Sequence, residues 1–180
     1  MEVLGDISKD STQKTTCASY GSHLDSWFFA YELADGTCAF RVGSAIPAAL
    51  RQFLEKIGSS AHLRSDVRVQ LGDNDSFVSW AKTSWACRGV PEALETALCQ
   101  LSSAHVKSTT ITRGSFKHAV NQLTWHSDGS YYVGSEEESS WNFSSSITLQ
   151  AWRKLWLKTN RSPSFEELSE LVVSSIPSSL

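Results

Sequence analysis

Much of what usually announces a function is missing from this chain. The four cysteines, Cys17, Cys38, Cys87 and Cys99, lie far apart with no C-x-x-C pair, and a structural zinc site needs closely spaced ligand pairs to close a tetrahedron. The five histidines are scattered, with no i, i+4 helical pair and no H-E-x-x-H, so no metal is expected. G-x-S-x-G, G-x-x-x-x-G-K-[ST] and G-x-G-x-x-G are all absent, which excludes the usual phosphate-cradling and dinucleotide loops, and no cofactor is expected. Basic residues never cluster beyond two in a row, and the formal net charge is −3 with a pI near 5.9. A protein that binds nucleic acid by neutralising phosphates carries a basic face, so that class is disfavoured. No apolar run approaches a membrane span, and the opening Met1-Glu-Val-Leu-Gly-Asp6 is too polar and acidic for a signal peptide. The expectation is a cytoplasmic chain with no nucleic-acid or membrane partner, whose free thiols behave as small apolar groups. The three Asn-x-Ser sequons, at Asn74, Asn142 and Asn160, are then chance in a serine-rich sequence.

What is present fits one folded domain. The chain has 180 residues, 41% hydrophobic and 19% charged, with seven Trp, eight Phe and four Tyr. Each aromatic side chain buries a large area, so this number points first to core packing and second to an aromatic-lined pocket or binding face. Self-similarity organises the rest. Val67–Leu71, Ser76-Phe77, Trp85-Ala-Cys87 and Val90-Pro91 with Leu94 recur as Val120–Trp125, Ser130-Tyr131, Trp141-Asn-Phe143 and Ser146-Ile147. A looser copy precedes them in Ser26-Trp27, Cys38-Ala-Phe40 and Ile46-Pro47 with Leu50. Ser26, Ser76 and Ser130 are each followed at once by an aromatic residue.

Each copy reads as three strands and a helix. Val67-Arg-Val-Gln-Leu71 alternates strictly, and Asp35-Gly36 and Asp128-Gly129 are hairpin signals, because both residue types tolerate positive φ. Ile46, Leu50, Phe53, Leu54 and Ile57 form one apolar helical stripe, and Val90, Leu94, Ala97, Leu98 and Leu101 repeat its offsets. Trp152, Leu155 and Trp156 continue the stripe in a third helix, with Arg153, Lys154, Lys158 and Arg161 making one side of it basic. Ser164 with Glu167 three residues on opens a fourth by a capping box. The predicted fold class is α+β: three sequential βββα repeats of mostly antiparallel strands, helices on one side, plus an added C-terminal helix. Residues 1–14 are expected to be a flexible N-terminus and 15–180 a single domain, with units at 15–62, 63–108 and 109–160 and the extra helix at 164–176.

Val67–Leu98 resembles a repeat found in uncharacterised, mostly fungal, proteins. The matching residues are Leu71-Gly72, Ser76-Phe77, Trp85 and Gly89-Val90-Pro91 with Leu94; the third unit lacks the helix-opening proline. The resemblance implies a βββα unit and carries no established chemistry.

Candidate chemistry is sparse. His126, two residues before Asp128 at a turn, is the one catalytic candidate, since imidazole beside carboxylate serves as a general base; a surface turn histidine is the plainer reading. The Glu136-Glu137-Glu138 run reads as a solvated hairpin tip. The second strands hold Trp27, Phe77 and Tyr131 on one face and Phe28, Val78 and Tyr132 on the other, joined by Trp80. A sheet with one wet face is polar there, so an apolar second face is either covered by a neighbouring unit or lines a pocket. The expectation is a hydrophobic small molecule bound by Phe28, Trp80, Tyr132, Trp27 and Tyr131. Catalysis, if any, is of a cofactor-independent cyclase or isomerase kind, working by shape and fixed dipoles. The alternatives are a protein- or peptide-interaction module and, further off, a glycan binder.

Overall fold

The computed structural model describes residues 12–60 and 64–143. The third and fourth helices expected from the sequence lie outside those residues. A first meander of β1 (Thr12–Tyr20), β2 (Trp27–Leu33) and β3 (Cys38–Val42) leads into helix α1 (Ala48–Gly58). A second, β4 (Arg68–Leu71), β5 (Phe77–Ala81) and β6 (Ser84–Arg88), leads into α2 (Glu92–Gln100). A hairpin follows, β7 (Ser102–Lys107) and β8 (Thr112–Phe116), and then a third meander, β9 (Val120–Trp125), β10 (Tyr131–Ser135) and β11 (Ser139–Asn142). The paired strands run antiparallel, and the class is α+β. β1 starts at Thr12, inside the segment expected to be a polar tail.

Turn chemistry sets the hairpins. Asp35 Oδ1 accepts from Thr37 N and Asp128 Oδ1 from Ser130 N, each at 2.8 Å, while Gly36 and Gly129 take the positive φ these turns need. The loops before β2, β5 and β10 close alike: the carbonyls of Ser26, Ser76 and Ser130 accept from the N–H groups of Gly21, Gly72 and His126 at 2.7–2.9 Å. Each helix begins one residue after a proline, Pro47 or Pro91, where a missing N–H costs nothing. Leu50, Leu54 and Ile57 of α1 and Leu94, Ala97 and Leu98 of α2 are buried, as the stripe requires.

The sheets have strand orders β1-β2-β3, β4-β5-β6-β8-β7 and β11-β10-β9. Two cores join them. One gathers Phe28, Ala30, the buried face of α1, Val69, Leu71, Phe77, Ala81 and Ala86. The other gathers Val78, Trp80, Trp85, Cys87, the buried face of α2, Leu123, Trp125, Tyr131 and Val133. Successive residues of β5 point to opposite faces, so Phe77 and Ala81 look toward α1 while Val78 and Trp80 look toward α2. The helices therefore cover opposite faces of the central sheet, correcting the expectation that they share one side. This also accounts for the apolar second face. Every residue of β5 is buried because one face joins the α1 core and the other the core shared by α2 and the third sheet.

The layers are tied by backbone as well as by packing. Gln70 donates from Nε2 to the Trp125 carbonyl (2.6 Å) and accepts from the Trp125 N–H (3.0 Å), so one side-chain amide clamps the central sheet to the third. Ser19 Oγ accepts from Leu71 N at 2.8 Å, and the Cys17 thiol lies 3.6 Å from the Val69 carbonyl. Both contacts cap the β4 edge with β1.

The β7–β8 hairpin was not expected; the sequence reading split it at 108/109. It pairs with β6 through Ser84–Ser115, Trp85–Gly114, Ala86–Arg113 and Cys87–Thr112. Trp85 stacks on Phe116 with centroids 5.7 Å apart. Its Nε1 donates to Ser102 Oγ (2.8 Å), which donates on to the Leu98 carbonyl (2.6 Å). Gly114 makes this docking possible: a Cβ there would lie 2.6 Å from the Ala104 carbonyl oxygen and 2.9 Å from Trp85 Nε1.

Candidate functional site

The residues expected to gather around a ligand are spread over the layers. Phe28 is fully buried in the α1 core and stacks on Phe40 at 5.8 Å. Trp80 and Tyr131 belong to the α2 core, on the other side of the central sheet. Tyr132 is buried and follows Tyr131 in β10, so it faces away from that core. Trp27 is half-buried and meets Phe29 edge-on at 5.9 Å. The tertiary arrangement does not bring these five into one pocket; the central layer separates Phe28 from Trp80.

His126 stands on an exposed turn with Nδ1 3.5 Å from Asp128 Oδ1, and that same oxygen accepts the Ser130 N–H that shapes the turn. His118 pairs with Glu137 at 3.1 Å, also near the surface. No group of three or more His, Cys, Asp or Glu side chains poised to hold a metal occurs among the described residues. No described helix is long and apolar enough to cross a membrane. Burial pushes the Cys87 thiol up to about 12, and the neighbouring Glu95 charge adds to the effect. Cys17 and Cys99 are also raised by burial. All three are poor nucleophiles, since the reactive species is the thiolate. Glu95 accepts from Lys107 Nζ (2.9 Å) and Thr112 Oγ1 (2.6 Å), bonds that hold its carboxyl below the ordinary range and lock α2 to the hairpin.

A cleft of about 530 Å³ opens on the opposite side of that hairpin. Its origin is a mismatch of widths. The central sheet has five strands where the first sheet has three, and α1 packs over the face of β4, β5 and β6, leaving β8 and β7 to project beyond it. The register fixes which side chains look into this space. Ala86 is buried in the α1 core, and Arg113 is its direct partner across the strands. Arg113 in turn pairs with Val106, and Ser115 with Ala104; directly opposed residues share a face. Ala104, Val106, Arg113, Ser115 and Ile111 thus form one wall, and Ala49, Gln52, Phe53, Lys56 and Ile57 of α1 the other. Val106 is 61% exposed, unusual for a valine in a strand. The volume lies within the range of small-molecule sites.

Sequence reasoning missed this site because it missed the hairpin. The signal was present in Val106-Lys-Ser-Thr-Thr-Ile-Thr112, a β-branched run broken by a serine. Ser108 Oγ accepts from Ile111 N at 3.2 Å, and the Ser108 N–H donates to the Ile111 carbonyl at 3.0 Å, so the serine closes the turn.

No protein-family model, curated protein or solved structure matches this chain.

Proposed function

We propose that the chain is built from three sequential βββα units and that the hairpin inserted after the second gives it a binding cleft for an apolar small molecule. What supports the repeat is the shared closure of the loops at Ser26, Ser76 and Ser130. What supports the cleft is one observation: β8 and β7 carry a partly bare face beside α1, with Ala104, Val106 and Ile111 next to Arg113 and Ser115, where β5 of the same sheet is buried throughout. In repeat proteins, insertions that break the pattern are where binding faces arise. Ala49, Phe53, Val106 and Ile111 supply the apolar surface in place of the aromatic set expected from the sequence. A cofactor-independent cyclase or isomerase would use the same cleft, holding a reactive conformer by shape against the fixed dipoles of the strand backbone.

The test is saturable enhancement of Nile red fluorescence, compared with an Ala104→Trp variant. Ala104 is an exposed residue facing the cleft, so an indole there fills the space without entering a core. Wild type is expected to bind and the variant to lose binding with an unchanged far-UV circular dichroism spectrum and urea midpoint. Equal binding by both would place the probe elsewhere and end this reading.

The interaction-module reading also has an observation in its favour. β7 is an edge strand, and an edge strand is a template for an added peptide strand. A Lys107→Pro variant separates the two readings, since Lys107 lies outside the cleft lining and, next to the hydrogen-bonded Ser108–Ile111 pair, points its N–H out from the edge.

A further inference from the structure

The walls of the cleft are not neutral. Lys56 and Arg113 both line it, one from each wall, and no Asp or Glu is among its described lining residues. Neither cation has a side-chain hydrogen bond or ion pair among the described residues, whereas Lys82 and Lys107 are paired with Asp66 and Glu95. Two unpaired cations in one cleft are notable in a chain of net charge −3. Like charges facing a shared space repel, and the arrangement is relieved when an anion enters between them.

We propose that the ligand of this cleft is an apolar small molecule ending in an anionic group, a carboxylate or a phosphate monoester, recognised by Arg113 and Lys56. This rests on the cleft reading above and adds the charge of the occupant. The two cations are not equivalent. Lys56 lies in the last turn of α1, where the partial negative charge of the helix end already offsets part of its own. Arg113 projects from the second residue of β8, away from any helix end, and its planar fork matches the two oxygens of a carboxylate. Arg113 is therefore the principal anchor and Lys56 the lesser one. Both side chains reach solvent, so the attraction is modest and sensitive to salt.

The experiment displaces Nile red with decanoate, decyl phosphate and decanol, which share an apolar body and differ in the head group. Either anion is expected to displace the probe at concentrations about tenfold lower than decanol at low salt, and the preference should shrink in 0.5 M sodium chloride. Arg113→Gln should remove most of the preference and Lys56→Gln a smaller part, with decanol unaffected by either. The stronger of the two anions identifies the head group. Equal displacement by anions and alcohol overturns this inference and leaves the cleft reading standing. So does a preference that survives in the double glutamine variant. If no compound displaces the probe and Ala104→Trp binds it as wild type does, both fail together.

Discussion

The two faces of the β7–β8 hairpin meet opposite fates. Toward α2, Phe116 is buried against Trp85, Gly114 lets the strands close over the indole, and Lys107 and Thr112 are tied to Glu95 on the helix. Toward α1, Ala104, Val106, Arg113 and Ser115 are exposed. Both faces belong to the same backbone and have similar β-branched and polar content, so propensity does not separate them. The difference lies in what stands opposite: α2 extends over the hairpin, while α1 stops at the strands of its own width. Burial, and with it the division between stability and binding, is decided by the neighbouring layer.

That comparison can be tested by substituting each face in turn. The largest effect is expected in the α2 core. Leu98→Ala removes a fully buried side chain and should cost about 2–5 kcal/mol in urea unfolding. Val106→Ala on the bare face should change stability by no more than about 0.5 kcal/mol. Similar losses from the two would show that the α1 face of the hairpin is packed after all.

A smaller effect is expected at the seam between the faces. Gly114→Ala drives a methyl group against the Ala104 backbone oxygen, which has no rotamer through which to yield, and should cost about 1–3 kcal/mol. Faster hydrogen exchange confined to β7 and β8 would show that the hairpin opens as a unit. Exchange that quickens equally throughout both cores would show instead that the hairpin and the layers unfold together.

The smallest effect is electrostatic. Glu95 is held below its ordinary value of 4.5, first by its bond to Lys107 and then by that to Thr112. A carboxyl depressed on folding contributes stability above its unfolded pKa and loses it as the pH falls through the folded value. Wild type should therefore lose stability below about pH 4.5, more steeply than Glu95→Gln. Parallel acid limbs for the two proteins would mean that the Glu95–Lys107–Thr112 link contributes nothing to holding the hairpin on α2.

Legibility was uneven along the chain for physical reasons. Local signals were faithful: Asp35-Gly36 and Asp128-Gly129 make the turns they predict, and the stripes Leu50–Leu54–Ile57 and Leu94–Ala97–Leu98 face cores. The apolar second face of the strands was left open between a covering neighbour and a pocket, and for β5 both faces are buried. Phe28, Trp80 and Tyr132 were grouped because Phe28, Val78 and Tyr132 align along the sequence and Trp80 shares the face of Val78. They stand on strands of three different sheets, so alignment along the sequence does not bring them together in space.

Sequence alone determined the class of the fold, the starts of both described helices and the turns at Asp35-Gly36 and Asp128-Gly129, because these depend on interactions within a few residues: a proline's missing donor, an Asx hydrogen bond, a 3.6-residue stripe. Only the tertiary structure decided which apolar residues became core and which became cleft. Val78 and Val106 are both strand valines, yet one is fully buried and the other is 61% exposed. Nothing local distinguishes them. What does is the width of the layer packed against each, a quantity fixed by residues as remote in sequence as Ala49 and Ile57, and therefore absent from any reading of the strand itself.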